Sequence, residues 1–392
     1  MIGIKAKKRG LKGHIYLDNA ATTKVDDKVI RVMNRYMAEK YGNPSSLHKK
    51  GEEAKKAVDN ARRIIAYSLN ADSEEIFFTS GGTESINWAI KGVAFANKDK
   101  GNHIITTKIE HKCVLNSCKW LEGQGFKVTY LDVDKEGFIN LEELEDAINS
   151  KTILVSIIHG NNEIGTIQDI KSIGSICRKK NVLFHIDACQ SYTKTSIDVE
   201  KMNIDLATIN SHKIHGPKGV GALYIKKGTN IIQWQHGGDQ ESQKRAGTEN
   251  VPGIIGFAEA VRISDKKYIK QMSVLRDRLI RGVLKISGSQ LNGPRGDKRL
   301  CNNTNFSFRR IEGEAIGLYL DILGVASSTG SACTSRRLEP SHVLKAIGLN
   351  HEQCNSSLRL TLSRYTTKEE IDYVVRVLPG IVEKLREISP LK

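Results

Sequence analysis

Lys213 lies in Ile209-Asn-Ser-His-Lys-Ile-His-Gly-Pro-Lys-Gly-Val-Gly-Ala-Leu-Tyr-Ile225, just past an apolar run and fenced by glycines. An amine confined among apolar groups loses solvation. That disfavours the ammonium and leaves a nucleophile able to form a Schiff base. A lone lysine in a turn proves little in a chain with 60 Lys and Arg, so the neighbours must decide. Polar clusters follow four apolar runs: Glu110-His111, Asn161-Asn-Glu163, Asp187-Ala-Cys-Gln190 and His212-Lys213. Ligands of open α/β sheets sit outside the carboxyl ends of the strands, where such clusters would fall. Thr79-Ser-Gly-Gly-Thr-Glu84 joins the apolar run Ile76-Phe-Phe78 to a helix-like segment. A strand, a glycine loop and a helix N-terminus together offer free N–H groups and a positive dipole end to a phosphate. A plain helix capped by Thr or Ser is the competing reading of that stretch. It matches neither a Walker loop nor G-x-G-x-x-G.

The elements that must hold these residues alternate along the chain. Strand-like runs occur at His103–Thr107, Lys127–Val133, Ile153–Ile158, Val182–Ile186, Ile204–Ile209 and Val220–Ile225. Helical patterns cover Asp26–Met37, Glu52–Leu69 and Leu141–Ile148, the last with Asn140 and Glu143 placed as a capping box. This alternation predicts an α/β fold with a mostly parallel sheet. After Gly256 the texture changes. Phe257–Leu284 reads as one long helix, Asn305–Phe308 and Ser357–Ser363 as strands, and Glu312–Leu323 as a helix. A final helix begins at Thr366-Thr367, with Glu369 and Glu370 as capping partners. The expected division is a basic N-terminal tail at 1–15, a large domain at 16–260 and a smaller α+β domain at 261–392.

Hydrophobic residues are 39% of the 392 and charged residues 27%, as in soluble globular enzymes. The formal charge of +16 points to a solvated basic surface or an acidic partner. The basic residues are scattered, so direct nucleic-acid binding is not expected. Seven cysteines without a C-x-x-C pair suit a reduced cytoplasmic protein, and their spacing suggests no metal site. No run is long enough to cross a bilayer.

The quoted stretches together resemble the pyridoxal-phosphate-dependent cysteine desulfurases. Further matching segments are Tyr16-Leu-Asp-Asn-Ala-Ala-Thr-Thr23, Gly42-Asn-Pro-Ser-Ser46, Gly237-Gly-Asp-Gln-Glu241, Arg245-Ala-Gly-Thr-Glu-Asn250, Gly330-Ser-Ala-Cys-Thr-Ser335 and Arg364-Tyr-Thr-Thr367. The resemblance implies a fold-type I aminotransferase architecture, a homodimer with sites at the interface, and pyridoxal 5'-phosphate as cofactor. It gives Lys213 the covalent bond to the cofactor and the transfer of the Cα proton. Asp187 would pair with the pyridine nitrogen, and His111 would stack on the ring and assist proton transfer. Gln190 and Asn162 would bond the phenolic oxygen or the substrate. Gly82, Thr83 and His212 would hold the phosphate together with either the Ser211 hydroxyl or the Asn210 amide, with Thr248 reaching it from the other subunit. Asn19 and Arg364 would bind substrate, the guanidinium matching its carboxylate. Two positions depart from the family pattern. The usual Ser-x-His-Lys is here Asn210-Ser211-His212-Lys213, and the usual glycine before Arg364 is Ser363.

Cys333, in the small-residue stretch Ser327–Ser335, would take the substrate sulfur as a persulfide and release alanine. The expected substrate is L-cysteine. The expected acceptor is an iron–sulfur scaffold or a tRNA-thiolation protein. A selenocysteine lyase, an aminotransferase-like enzyme and a non-catalytic tRNA-binding scaffold are the competing readings.

Overall fold

The computed structural model describes residues 13–329 and 340–390, so Cys333 lies outside the described residues. A two-residue strand, β1 (Ile15–Tyr16), comes first. Seven strands then build the main sheet: β2 (Ile76–Thr79), β3 (His103–Thr107), β4 (Lys127–Leu131), β5 (Thr152–Ile158), β6 (Leu183–Asp187), β7 (Leu206–Asn210) and β8 (Gly221–Ile225). Their order is β2-β8-β7-β6-β5-β3-β4. Every residue of β5 is buried, as expected of a strand covered on both faces.

The sheet departs from a wholly parallel one at β8, which runs antiparallel to both β7 and β2. The connection 211–220 carries Lys213 and contains no crossover helix. A strand that follows so short a link must turn back beside its neighbour.

Helices cover both faces. Asp27–Ala38, Lys49–Leu69 and Val251–Arg262 pack on one side with Val29, Ile65 and Phe257 fully buried. On the other side, Trp88, Ile90 and Val93 meet Leu121 and Leu154. A second core gathers Ile15 and Leu17 with Leu279, Phe306, Leu360 and Leu378. Its strands are β9 (Ser289–Leu291), β10 (Asn303–Phe308), β11 (Val325–Ala326) and β12 (Ser357–Thr361), in a sheet of order β12-β10-β9 and a β1-β11 pair.

The expected single helix at Phe257–Leu284 is two, Val251–Arg262 and Lys266–Val283. Asp265 causes the break, its carboxylate accepting the Lys267 N–H at 2.8 Å as an N-cap. Asn140 caps its helix through the Glu142 N–H, two residues on. The capping box at the last helix joins Thr367 to Glu370, and that helix runs Lys368–Ile388.

Candidate active site

Lys213 follows β7 and is held by the loop that leaves β1. Its Nζ donates to the carbonyl oxygens of Ala20 and Ala21, the latter at 2.8 Å. Gln190 Nε2 donates to the same Ala20 oxygen at 2.9 Å. Burial draws the Lys213 amine down to about 8, and the neighbouring Arg359 cation pulls the same way. His212 is drawn to about 4 by burial, and its Nδ1 meets Thr22 Oγ1 at 3.2 Å. Loop 18–23 is itself fixed from the end of β12. Ala20 N–H donates to Thr361 Oγ1 at 2.9 Å, and Asn19 Nδ2 to the Thr361 carbonyl at 2.8 Å. Asn19 thus spends its amide on the backbone.

The carboxyl ends of β3, β5 and β6 bring the other strand-end residues together. Asp187 is buried, and its Oδ1 accepts the Cys189 N–H at 2.9 Å. His111 begins the helix Lys112–Glu122 as its N-cap. Burial lowers it, while Asp187 opposes and Lys213 reinforces that shift. Glu110 lies beneath, wholly buried. Its Oε1 accepts Ile158 N–H and Thr107 Oγ1, both at 2.8 Å, and its Oε2 has no partner among the described residues.

A glycine loop and a helix N-terminus between β2 and β7 form a cradle of the kind that suits a phosphate. The helix Gly82–Asn87 is N-capped by Gly81 with no side-chain capping bond, so Thr or Ser does not close this end. A Cβ at Gly82 would lie 2.6 Å from Cys189 Sγ and 3.5 Å from Asn210 Nδ2. Only glycine brings the backbone this close. Asn210 therefore abuts the cradle, whereas Ser211 Oγ is directed at Gly216. Asn210 Oδ1 and Ser211 Oγ are both buried without a partner among the described residues. Thr83, in the first turn, is exposed. Thr248 is exposed on a loop that borders Thr79 and Ser80. That loop passes through Glu241, Ser242 and Gln243, all with positive φ, and is pinned where Glu241 accepts both Arg62 nitrogens and the Phe78 N–H.

Arg364 lines a cavity with Lys213, but its guanidinium bonds Asp26 and stacks near Tyr268 and Tyr365. A second arginine, not singled out from the sequence, acts on Lys213 through its charge. Arg359 on β12 is buried, donates to the Asn162 carbonyl at 2.9 Å and pairs with Asp18 at 3.0 Å. Its backbone bridges Ser328, at the root of the segment that carries Cys333. Asn162 Oδ1 is buried with no partner among the described residues. Lys194 is the other residue missed. Burial draws it to about 8, and its Nζ donates to the backbone oxygens of Gln190 and Lys213 at 2.8 and 3.2 Å. The spacing from Gln190 to Lys194, one helical step, was the available signal.

These residues fit pyridoxal phosphate: a desolvated amine, a buried carboxylate at the sheet end, and a side-chain-free helix N-terminus with the donor amide Nδ2 of Asn210 beside it. No group of His, Cys, Asp and Glu among the described residues could hold a metal ion.

Glu110 sets a pH dependence of stability. Burial raises its carboxyl to about 8, above the ordinary value near 4.5. The folded state therefore holds a proton that the unfolded chain releases, and this stabilisation is lost as pH climbs from about 4.5 to 8. Glu110→Gln should remove a decline approaching about 1.4 kcal/mol per pH unit. Urea unfolding of both proteins from pH 5 to 9 tests this, and parallel stability curves would contradict it.

Residues 15–374 match the family described as aminotransferase class-V. The chain is 53% identical over 380 residues to a cysteine desulfurase IscS of Methanosarcina thermophila, covering 96% of this chain and 94% of that one. A solved NifS-like protein superposes with a TM-score of 0.89 at 41% identity, covering 95% of this chain and all of the other. SspA in complex with cysteine superposes with a TM-score of 0.81 at 38% identity, over 90% of this chain and all of that one. With Lys213, Asp187 and the glycine cradle at the sheet ends, and with these likenesses along nearly its whole length, the chain belongs to the pyridoxal-phosphate-dependent cysteine desulfurases of aminotransferase class V.

Proposed function

We propose that this protein converts L-cysteine to L-alanine and carries the released sulfur as a persulfide on Cys333. The observation that supports this most is the half-buried Lys213 amine, drawn to about 8 by desolvation and framed by strand-end polar groups. Bound pyridoxal phosphate supplies the electron sink that makes the substrate Cα acidic.

The chain's residues do the rest. Lys213 takes and returns the Cα proton. Asp187 holds the proton on the pyridine nitrogen. Backbone N–H groups at Gly82 and Thr83 bind the phosphate, with the Asn210 amide in place of the family's serine and His212 beside it. Ser211, turned toward Gly216, supports the loop. Gln190 and Asn162 orient the phenolic oxygen and the substrate. Arg359 takes the substrate carboxylate, since it adjoins both Asn162 and the start of the Cys333 segment. Arg364 braces the cavity wall through Asp26. The Cys333 thiolate attacks the substrate sulfur. The new S–S bond forms as the Cβ–S bond breaks, and protonation of the carbon gives alanine. Thr248 serves the site of the second subunit in a homodimer.

The next acceptor is an iron–sulfur scaffold or a tRNA-thiolation protein, and the compartment is the cytoplasm. No helix among the described residues is long and apolar enough to cross a membrane.

Cys333→Ala should lower sulfide release from L-cysteine, with dithiol present, by at least about 100-fold while cofactor binding persists. Unchanged release would remove Cys333 from the reaction. Lys213 should become reactive near pH 8. Incorporation of pyridoxal phosphate into cofactor-free protein should accelerate with a midpoint near that value, and Lys213→Ala should lose the visible absorbance. A midpoint near that of an ordinary lysine would refute the desolvated amine. Arg359→Lys should raise KM for L-cysteine more than about tenfold, against a smaller change in Arg364→Lys. The reverse ranking would return the carboxylate to Arg364.

A further inference from the structure

Cys113 stands two residues beyond His111, in the first turn of the helix that His111 caps. The Cys113 backbone N–H donates to His111 Nδ1 at 3.3 Å. The same ring nitrogen lies 2.8 Å from Cys113 Sγ. A nitrogen that accepts an N–H carries no proton of its own, so the proton of the neutral ring is on Nε2. Facing that nitrogen, the sulfur can only donate. Burial, with Asp187 and Glu110 adding to it, holds Cys113 as a thiol and so keeps the S–H available.

We propose that Cys113 is a positioning residue for the desulfurase reaction, its S–H and N–H together locking His111 as the Nε2–H tautomer. Ring protonation at Nδ1 would break both bonds, so the pair also keeps His111 neutral. The other groups acting on the ring come from four separate segments. Asp187 on β6 and Glu163 after β5 favour the charged ring, while Lys213 and His342 disfavour it. Nε2 makes no hydrogen bond among the described residues, which leaves its proton free to be offered to a ligand. The inference rests on the assignment of His111 to the active site, but its test does not depend on turnover.

The experiment uses holoenzyme labelled with ¹⁵N-histidine, the His111 signal being identified by its loss in His111→Gln. Wild type and Cys113→Ser should both show the Nε2–H tautomer, because serine restores a donor. Cys113→Ala keeps the backbone N–H but loses the thiol donor, so the Nε2–H preference should weaken toward mixed tautomers and the protonation midpoint rise by roughly 0.5–1 unit. A Cys113→Ala spectrum like wild type would overturn the proposal, as would a Cys113→Ser shift equal to that of Cys113→Ala. Sulfide release, measured separately, reports on the desulfurase reading: its absence would sink that reading and leave the tautomer result standing.

Discussion

The site depends on keeping one amine dry. A lysine taken from water must either find acceptors or give up its proton, and Lys213 does some of each. Two backbone carbonyls of loop 18–23 receive it, yet burial and the cation of Arg359 still favour the neutral form. Lys194 adds a second half-buried amine, bonded to the Lys213 backbone. Asp18 balances this gathering of positive charge by pairing with Arg359. The acidic residues near the site are therefore as much a part of the lysine's chemistry as its own environment.

Loop 18–23 also ties the two cores. Leu17 belongs to the second core, Ala20 and Ala21 hold Lys213, and Thr361 of β12 clamps the loop from behind. The same strand carries Arg359, whose neighbour across the bridge is Ser328. The arginine proposed to take the substrate carboxylate, the lysine and the root of the segment that carries Cys333 thus share one short run of backbone contacts. A shift of β12 would move all three.

Much of this was legible in the sequence because the signals are local. Buried parallel strands are apolar runs, and glycines mark places where only glycine fits, as at Gly82 against Cys189. Lys213, Asp187 and His111 were legible as candidates because each follows such a run. Arg359 was not, because its importance comes from tertiary placement: it lies mid-strand, and its partners Asp18 and Asn162 are distant in sequence. Arg364 drew attention as the arginine of a recognised motif, while its Asp26 partner could be seen only in three dimensions. The break at Asp265 was hidden because the apolar pattern continues on both sides of a single capping residue.

The contacts of loop 18–23 have a consequence for how the protein is made. Its residues leave the ribosome well before their partners, Lys213 following about 190 residues later and Thr361 about 340. Contacts of such separation form late, after the local helices and the sheet are in place. The pocket that lowers the lysine's basicity is accordingly among the last parts to assemble. Burial and the Arg359 charge of β12 together draw the lysine down, so its reactivity depends on completion of the fold.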